Sequence, residues 1–218
     1  MTSARAIATE LVNAFDVLRD KGLLLFTAAP SQAFQRVSWY ATTPFSYSEG
    51  HATVEQYREW VIGSHYSAVL PDASLLQITY DVLGGEIAGH RLAYVPCPVI
   101  VDKDLIREEP LIDVVDSYLA DGYAAVALRS PLRFDFDPGA ASERHPASHM
   151  TFNSADCRIA CVAPMHPYQF LDLVFTSFYP TLRVAGQDWF DEGARRAYRQ
   201  RVITEEERAG VHMLWPLD

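Results

Sequence analysis

The sequence has few cysteines and no long apolar run, and each absence argues against a class of protein. Only three cysteines occur in 218 residues, an odd, apolar-flanked set that is typical of buried free thiols in a reducing cytoplasm. They are Cys97, Cys157 and Cys161. No apolar stretch approaches the roughly 18 residues that span a bilayer. Because residues 1–12 contain charged side chains and no apolar core, we expect no cleaved secretion signal and predict a cytoplasmic protein without membrane association.

Basic charge is also scarce. The chain has 28 acidic and 18 basic residues, which gives a formal net charge of −10. This balance argues against broad binding to nucleic acid or anionic membranes, whereas an acidic chain suits a basic protein partner. The sequence contains no Gly-rich phosphate loop, no nucleophile elbow and no paired Cys-x-x-Cys zinc site. We therefore predict no cofactor, with one alternative, a divalent cation at Asp135 and Asp137.

The spacing of apolar residues predicts several helices and short strands. Helices are expected to begin near Ser3, Thr53, Pro110 and Pro167, and a polar surface helix is expected over residues 188–201. Short strands are expected at residues 23–27, 38–41 and 45–48. Residues 75–95 alternate around Gly84-Gly85, which indicates a hairpin.

The order of these elements predicts the fold class. The β segments follow one another instead of alternating strictly with helices, a pattern typical of the α+β class. We predict an antiparallel or mixed sheet with helices packed mainly on one face. The whole chain, residues 1–218, is expected to form a single domain with a polar peripheral helix and tail after about residue 185.

The most informative stretch is Arg129 to Tyr179, where charged residues enter segments that otherwise read as core strands. In residues 132–137 the side chains alternate strictly, so the apolar ones are expected to face the core and the charged ones the opposite side. The apolar set is Leu132, Phe134 and Phe136, and the charged set is Arg133, Asp135 and Asp137.

Two further strands are expected to follow residues 132–137. Residues 149–152 alternate, with His149 outward, and residues 157–163 carry Arg158 as their only charge. If the three strands are neighbours, their charged side chains meet on one face.

Each candidate residue has a structural and a functional reading. Asp135 and Asp137 lie about 6–7 Å apart on one strand face, a spacing that suits a divalent ion or a general acid and base. The favoured alternative is an ion-pair network with Arg133 and Arg158. Arg158, among apolar neighbours, needs either an aspartate or an anionic ligand such as phosphate. His145 and His149 are expected about 13 Å apart in an extended chain, too far to share a metal ion.

A resemblance accompanies these patterns. The run PLRFDFDPGAASERHPASHMTFN, with the later CRIACVAP and FLDLVFTSFYP and the earlier GHRLAYVPCP and EEPLIDVVDSYL, resembles the bacterial family called domain of unknown function 2290. The resemblance covers most of the chain, from about the first helix to Tyr179. It implies a bacterial origin and transfers no chemistry to any residue.

Two functions from different classes stay open. The favoured one is a non-catalytic cytoplasmic protein that binds another protein in a larger assembly, in stress response or phage defence. It is based on the missing catalytic templates, the acidic charge and the aromatic content of 12%. The alternative is a small metal- or His/Asp-dependent hydrolase or nuclease that acts on a phosphate-containing substrate. In that enzyme Asp135, Asp137 and His149 are catalytic, and the ligand-binding residues are Arg133, Arg158 and His145.

Overall fold

The structure is a computed structural model that describes residues 2–33, 35–39, 53–122, 126–193, 196–215 and 217. The helices in these ranges are α1 (Ala4–Asp20), α2 (Val54–Ile62), α3 (Leu105–Glu108), α4 (Leu111–Ala120), α5 (Pro167–Phe178), α6 (Pro180–Ala185), α7 (Gln187–Gly193) and α8 (Glu205–Ala209). The strands are β1 (Phe26–Thr27), β2 (Ser31–Ala33), β3 (Arg36–Ser38), β4 (Ala68–Val69), β5 (Leu75–Leu83), β6 (Glu86–Val95), β7 (Leu132–Phe136), β8 (Ser148–Phe152), β9 (Arg158–Cys161) and β10 (His212–Met213).

Helices α1, α2 and α5 begin where side chains cap their free backbone N–H groups. The Ser3 hydroxyl accepts a hydrogen bond from the Ala6 N–H at 3.1 Å and starts α1. Thr53 and Gln56 form the capping box of α2, as the sequence predicts. The cap of α5 is His166, whose Nδ1 accepts from the Tyr168 N–H at 3.3 Å. Histidine is an uncommon cap, so this role was not predicted from the sequence.

The strands form one mixed sheet in the order β1-β4-β5-β6-β7-β8-β9-β10, with β3 also paired to β5, and β2 to β3. The pairs are antiparallel except for β9–β10, which is parallel. The predicted hairpin around Gly84-Gly85 joins β5 to β6. The predicted α+β class is therefore confirmed. Within the described ranges, no helix is both long and apolar enough to cross a membrane.

Helices cover the two sheet faces unequally. On one face α1, α5 and α7 bury a large apolar core that includes Leu92, Phe134 and Phe170. On the other face α2, α3 and α4 cover a second apolar cluster, which reaches the sheet at its Leu75 and Val95 end. The part of this second face on β6, β7 and β8 is polar and carries the candidate site.

Some local expectations differ from the structure. The strand expected at residues 23–27 is limited to Phe26–Thr27, and the helix expected over 188–201 ends at Gly193. Residues 196–204 form no helix, and Tyr198 and Val202 in this segment pack against the core. Cys157 is exposed, since β9 begins only after it, while Cys97 and Cys161 are buried as expected. The strand expected at residues 45–48 and the second half of the one expected at 38–41 lie outside the described residues, while Ser38 ends β3.

Two buried histidines, His90 and His166, make the stability of the fold depend on pH. The His90 Nε2 atom accepts a hydrogen bond from the Met165 N–H at 2.9 Å, so this nitrogen carries no proton. Burial lowers the pKa of His90 to about 4. Burial, helped by the charge of Arg196, also lowers the pKa of His166 to about 4. Both rings are therefore neutral in the folded protein at neutral pH.

We expect the free energy of unfolding to fall as the pH drops from 6.5 towards 4. In this window the unfolded chain binds protons at both histidines and the folded chain does not, which costs roughly 3 kcal/mol for each ring. The variant His166→Asn keeps an oxygen that can cap α5 and removes one of these titrations, so its stability should fall less. Urea unfolding at pH 7 and pH 4.5 measures the difference. The control is His212→Asn, on the short strand β10, and equal losses in wild type and His166→Asn would contradict the assignment.

Candidate functional site

Two rows of polar side chains cross the second face of the sheet. The first row runs over β6, β7 and β8, where the register pairs Arg91 with Asp135 and Asp135 with His149. The second row lies one pleat away over β7, β8 and β9. It pairs Arg133 with Thr151 and Thr151 with Arg158. The expected adjacency of the three central strands is thus observed, with Phe134 on the opposite face.

Asp135 lies at the centre of this face. Its Oδ1 accepts from Arg91 Nε at 2.8 Å, and its Oδ2 accepts from Arg133 Nε at 2.5 Å. Burial opposes ionisation of the carboxyl, but the charges of Arg133 and Arg91 outweigh it and hold the pKa of Asp135 below its usual value. With a guanidinium on each oxygen, this carboxylate is a weak proton acceptor. Arg91 was missed as a partner, although alternation along β6 places it on the same face.

His149 completes the first row. Its Nε2 lies 3.6 Å from Asp135 Oδ2, and its Nδ1 is 2.8 Å from the carbonyl oxygen of Pro146, to which it donates. Burial lowers the pKa of His149 although the Asp135 charge raises it.

The expected distance between His145 and His149 is wrong. Their ring centroids are 4.6 Å apart, because the chain bends at Ala147 before β8 begins at Ser148. Even so, the described residues contain no group of three or more His, Cys, Asp or Glu side chains arranged to hold a metal ion.

Asp137 leaves the row just after β7. Its Oδ1 accepts from the N–H groups of Gly139 and Ala140 at 3.1 and 3.2 Å, so it caps the short turn that follows. Asp135 and Asp137 both line an open pocket of about 280 Å³, which also contains Arg91. The structure therefore places the two aspartates at one pocket. Their roles as acid, base or ligands of a divalent ion stay predictions.

Arg158 does not join the Asp135 network among the described residues. It forms an ion pair with Asp156, at 3.8 Å between Nη1 and Oδ1, and Asp156 is almost fully exposed. The Nε atom of Arg158 is buried without a hydrogen-bond partner, and so is the hydroxyl of its strand neighbour Thr151. The aspartate partner expected for Arg158 from β7 is thus replaced by a surface residue.

A second feature lies at the other face of the sheet, where β6, β8 and the end of α5 meet. We call it the Leu128 pocket. It has a volume of about 490 Å³ and is lined by Asp72, Tyr94, Pro96, Leu128, Arg129, Ser130, Phe152, Phe178 and Tyr179. Leu128 is fully exposed, and Phe152 and Phe178 are exposed by 46% and 43%. The pocket therefore presents contiguous apolar side chains to solvent.

Polar bonds hold the rim of the Leu128 pocket in place. The Tyr179 hydroxyl donates to Asp72 Oδ1 at 2.8 Å, and Arg129 Nη1 donates to Asp72 Oδ2 at 3.0 Å. Because the Tyr179 proton goes to Asp72, the Tyr94 hydroxyl donates to Tyr179 across 3.1 Å. The Tyr94 ring stacks on Phe178 with centroids 4.4 Å apart.

Comparison with known proteins supports the resemblance seen in the sequence. Residues 23–215 match the model of a family described as "Uncharacterized conserved protein (DUF2290)". A comparison with curated proteins gave no match, and neither did one with solved structures. The matched range includes the whole polar face and the Leu128 pocket.

The Asp135 network predicts a large effect of a small change. Asp135→Asn should lower the free energy of unfolding by about 3 kcal/mol or more at pH 7, because two guanidinium groups lose their buried counter-ion. Asp137→Asn is the matched control and should cost less than about 1 kcal/mol, since its amide oxygen still caps the turn. Denaturant unfolding measures both. The contribution of Asp135 to the free energy of unfolding should persist above pH 3.8 and be lost as the pH falls through its lowered folded pKa. Equal effects of Asp135→Asn and Asp137→Asn at pH 7 would contradict this network.

Proposed function

The chain belongs to the family of uncharacterised conserved proteins DUF2290, and from that premise we propose that it is a non-catalytic, protein-binding component of a larger assembly. The Leu128 pocket carries this proposal. An exposed cluster of large apolar side chains around a concave site is a feature of protein interfaces. We propose that the pocket receives an apolar side chain of the partner protein.

The construction of the pocket favours tight docking. Tyr94 is buried under the Phe178 ring, and its hydroxyl is held by Tyr179. A floor that is already ordered loses little conformational entropy when a partner binds. Arg129, held by Asp72 at the rim, supplies a side-chain type that is enriched at interfaces.

Charge indicates the kind of partner. The chain carries a formal net charge of −10, so basic groups around the apolar anchor of a partner would be attracted before contact. We therefore propose a partner segment with one large apolar residue flanked by lysine or arginine. The segment's apolar residue would supply the affinity, and its charges would supply the rate of association.

The proposed setting is the bacterial cytoplasm, and the free state of all three cysteines supports a reducing compartment. A role in stress response or phage defence stays a prediction. The alternative, a hydrolase or nuclease, has less support. Both Asp135 oxygens are bonded to arginines, which makes this residue a poor general base.

The test is partner capture by tagged wild-type and variant proteins from bacterial cells. Leu128→Asp places a charge at the exposed apex of the pocket and should reduce recovery of the partner by about tenfold or more, without changing the thermal midpoint. The control is Leu83→Asp, at an exposed leucine that ends β5 away from the pocket, and it should capture the partner normally. A strictly monomeric protein with no captured partner, or equal capture by Leu128→Asp, would contradict the proposal.

A further inference from the structure

The second polar row, Arg133, Thr151 and Arg158, suggests a further binding site on the sheet face opposite to the Leu128 pocket. We infer that the row Arg133–Thr151–Arg158 binds a small oxyanion, a phosphate or carboxylate group, over the Thr151 hydroxyl. The three residues are direct register partners on β7, β8 and β9. Their side chains leave the same face, and directly opposed β-carbons lie about 5 Å apart. Thr151 therefore has an arginine as its strand neighbour on each side.

The inference is based on two buried hydrogen-bond donors that have no partner. Thr151 is only 2% exposed, and its hydroxyl has no hydrogen-bond partner. The buried Nε atom of its neighbour Arg158 has none either. A buried polar group without a partner destabilises the folded state, so two such donors on neighbouring strands call for an acceptor. An oxyanion supplies several acceptor atoms to both.

The charge of the face favours an anion. The row itself carries two guanidinium groups, those of Arg133 and Arg158, and no carboxylate. The carboxylate that Arg133 bonds, Asp135, is shared with Arg91. The carboxylate that Arg158 pairs with, Asp156, lies at the surface. The bond from Arg133 Nε to Asp135 fixes the position of that guanidinium. Guanidinium groups bind carboxylate and phosphate with two parallel hydrogen bonds, more specifically than lysine does.

The location of Arg158 gives the ligand access. Its side chain is 24% exposed, and its ion pair with Asp156 lies at the surface. An anion that approaches from this side displaces only a weak, solvent-exposed contact. Because the Arg158 Nε and the Thr151 hydroxyl are themselves buried, the anion reaches them when the partly exposed Arg158 side chain moves aside.

A thermal-shift titration in Tris buffer tests the site with inorganic phosphate, with acetate, and with chloride at matched ionic strength. At tenfold excess over the dissociation constant, the ligand should raise the midpoint by roughly 3–6 °C. Thr151→Val and Arg158→Gln should each remove most of this rise. Arg36→Gln, which removes the same charge from another strand, should keep it. A phosphate-only rise assigns a phosphate ligand, and an equal or larger rise with acetate assigns a carboxylate.

Two results separate this site from ordinary packing and from the Leu128 pocket. A purely structural Thr151 predicts that Thr151→Val changes stability equally with and without phosphate, whereas a binding role predicts loss of the phosphate effect alone. The Nε–H resonance of Arg158 in NMR spectra should move as phosphate saturates. Leu128→Asp should retain the full response. No rise above the chloride control, or an undiminished rise in both row variants, would overturn the inference.

Discussion

The bond between Asp135 and its two arginines is the constraint on which the polar face depends. A charge can be removed from water only if opposite charge and hydrogen bonds replace the lost hydration. Arg91 and Arg133 do this from β6 and from β7 itself. Because a slip of one residue in strand pairing turns every side chain to the other face, the network also defines the register of β6 against β7.

The sheet separates two regions that share a strand. Thr151 and Phe152 are consecutive on β8, so their side chains leave on opposite sides. Thr151 belongs to the polar row, and Phe152 lines the Leu128 pocket. One short strand thus contributes to a charged, buried surface and to an apolar, exposed one. The alternation of side chains along a strand places Phe134 in the apolar core, and the same alternation separates these two surfaces on β8.

Alternation in the sequence predicted much of the fold and part of the site. It assigned Phe134 to the core and Asp135 to the polar face, because a period of two is a local property of a strand. It did not identify Arg91 as the partner of Asp135, since pairing of β6 with β7 spans 44 residues. The proximity of His145 to His149 was missed for a different reason: the bend at Ala147 replaces the extended geometry that the estimate assumed. The placement of Arg158 beyond reach of Asp135 depends on a register offset that composition does not reveal.

The main path of the sheet ends in a two-residue strand at either side, β1 at one and β10 at the other. Each outermost strand therefore offers few backbone groups to a foreign chain. Short borders of this kind are one of the means by which natural β proteins resist edge-to-edge aggregation and amyloid growth. Leucine and phenylalanine side chains can therefore be exposed elsewhere on the surface of this chain without lying on a long, open strand edge.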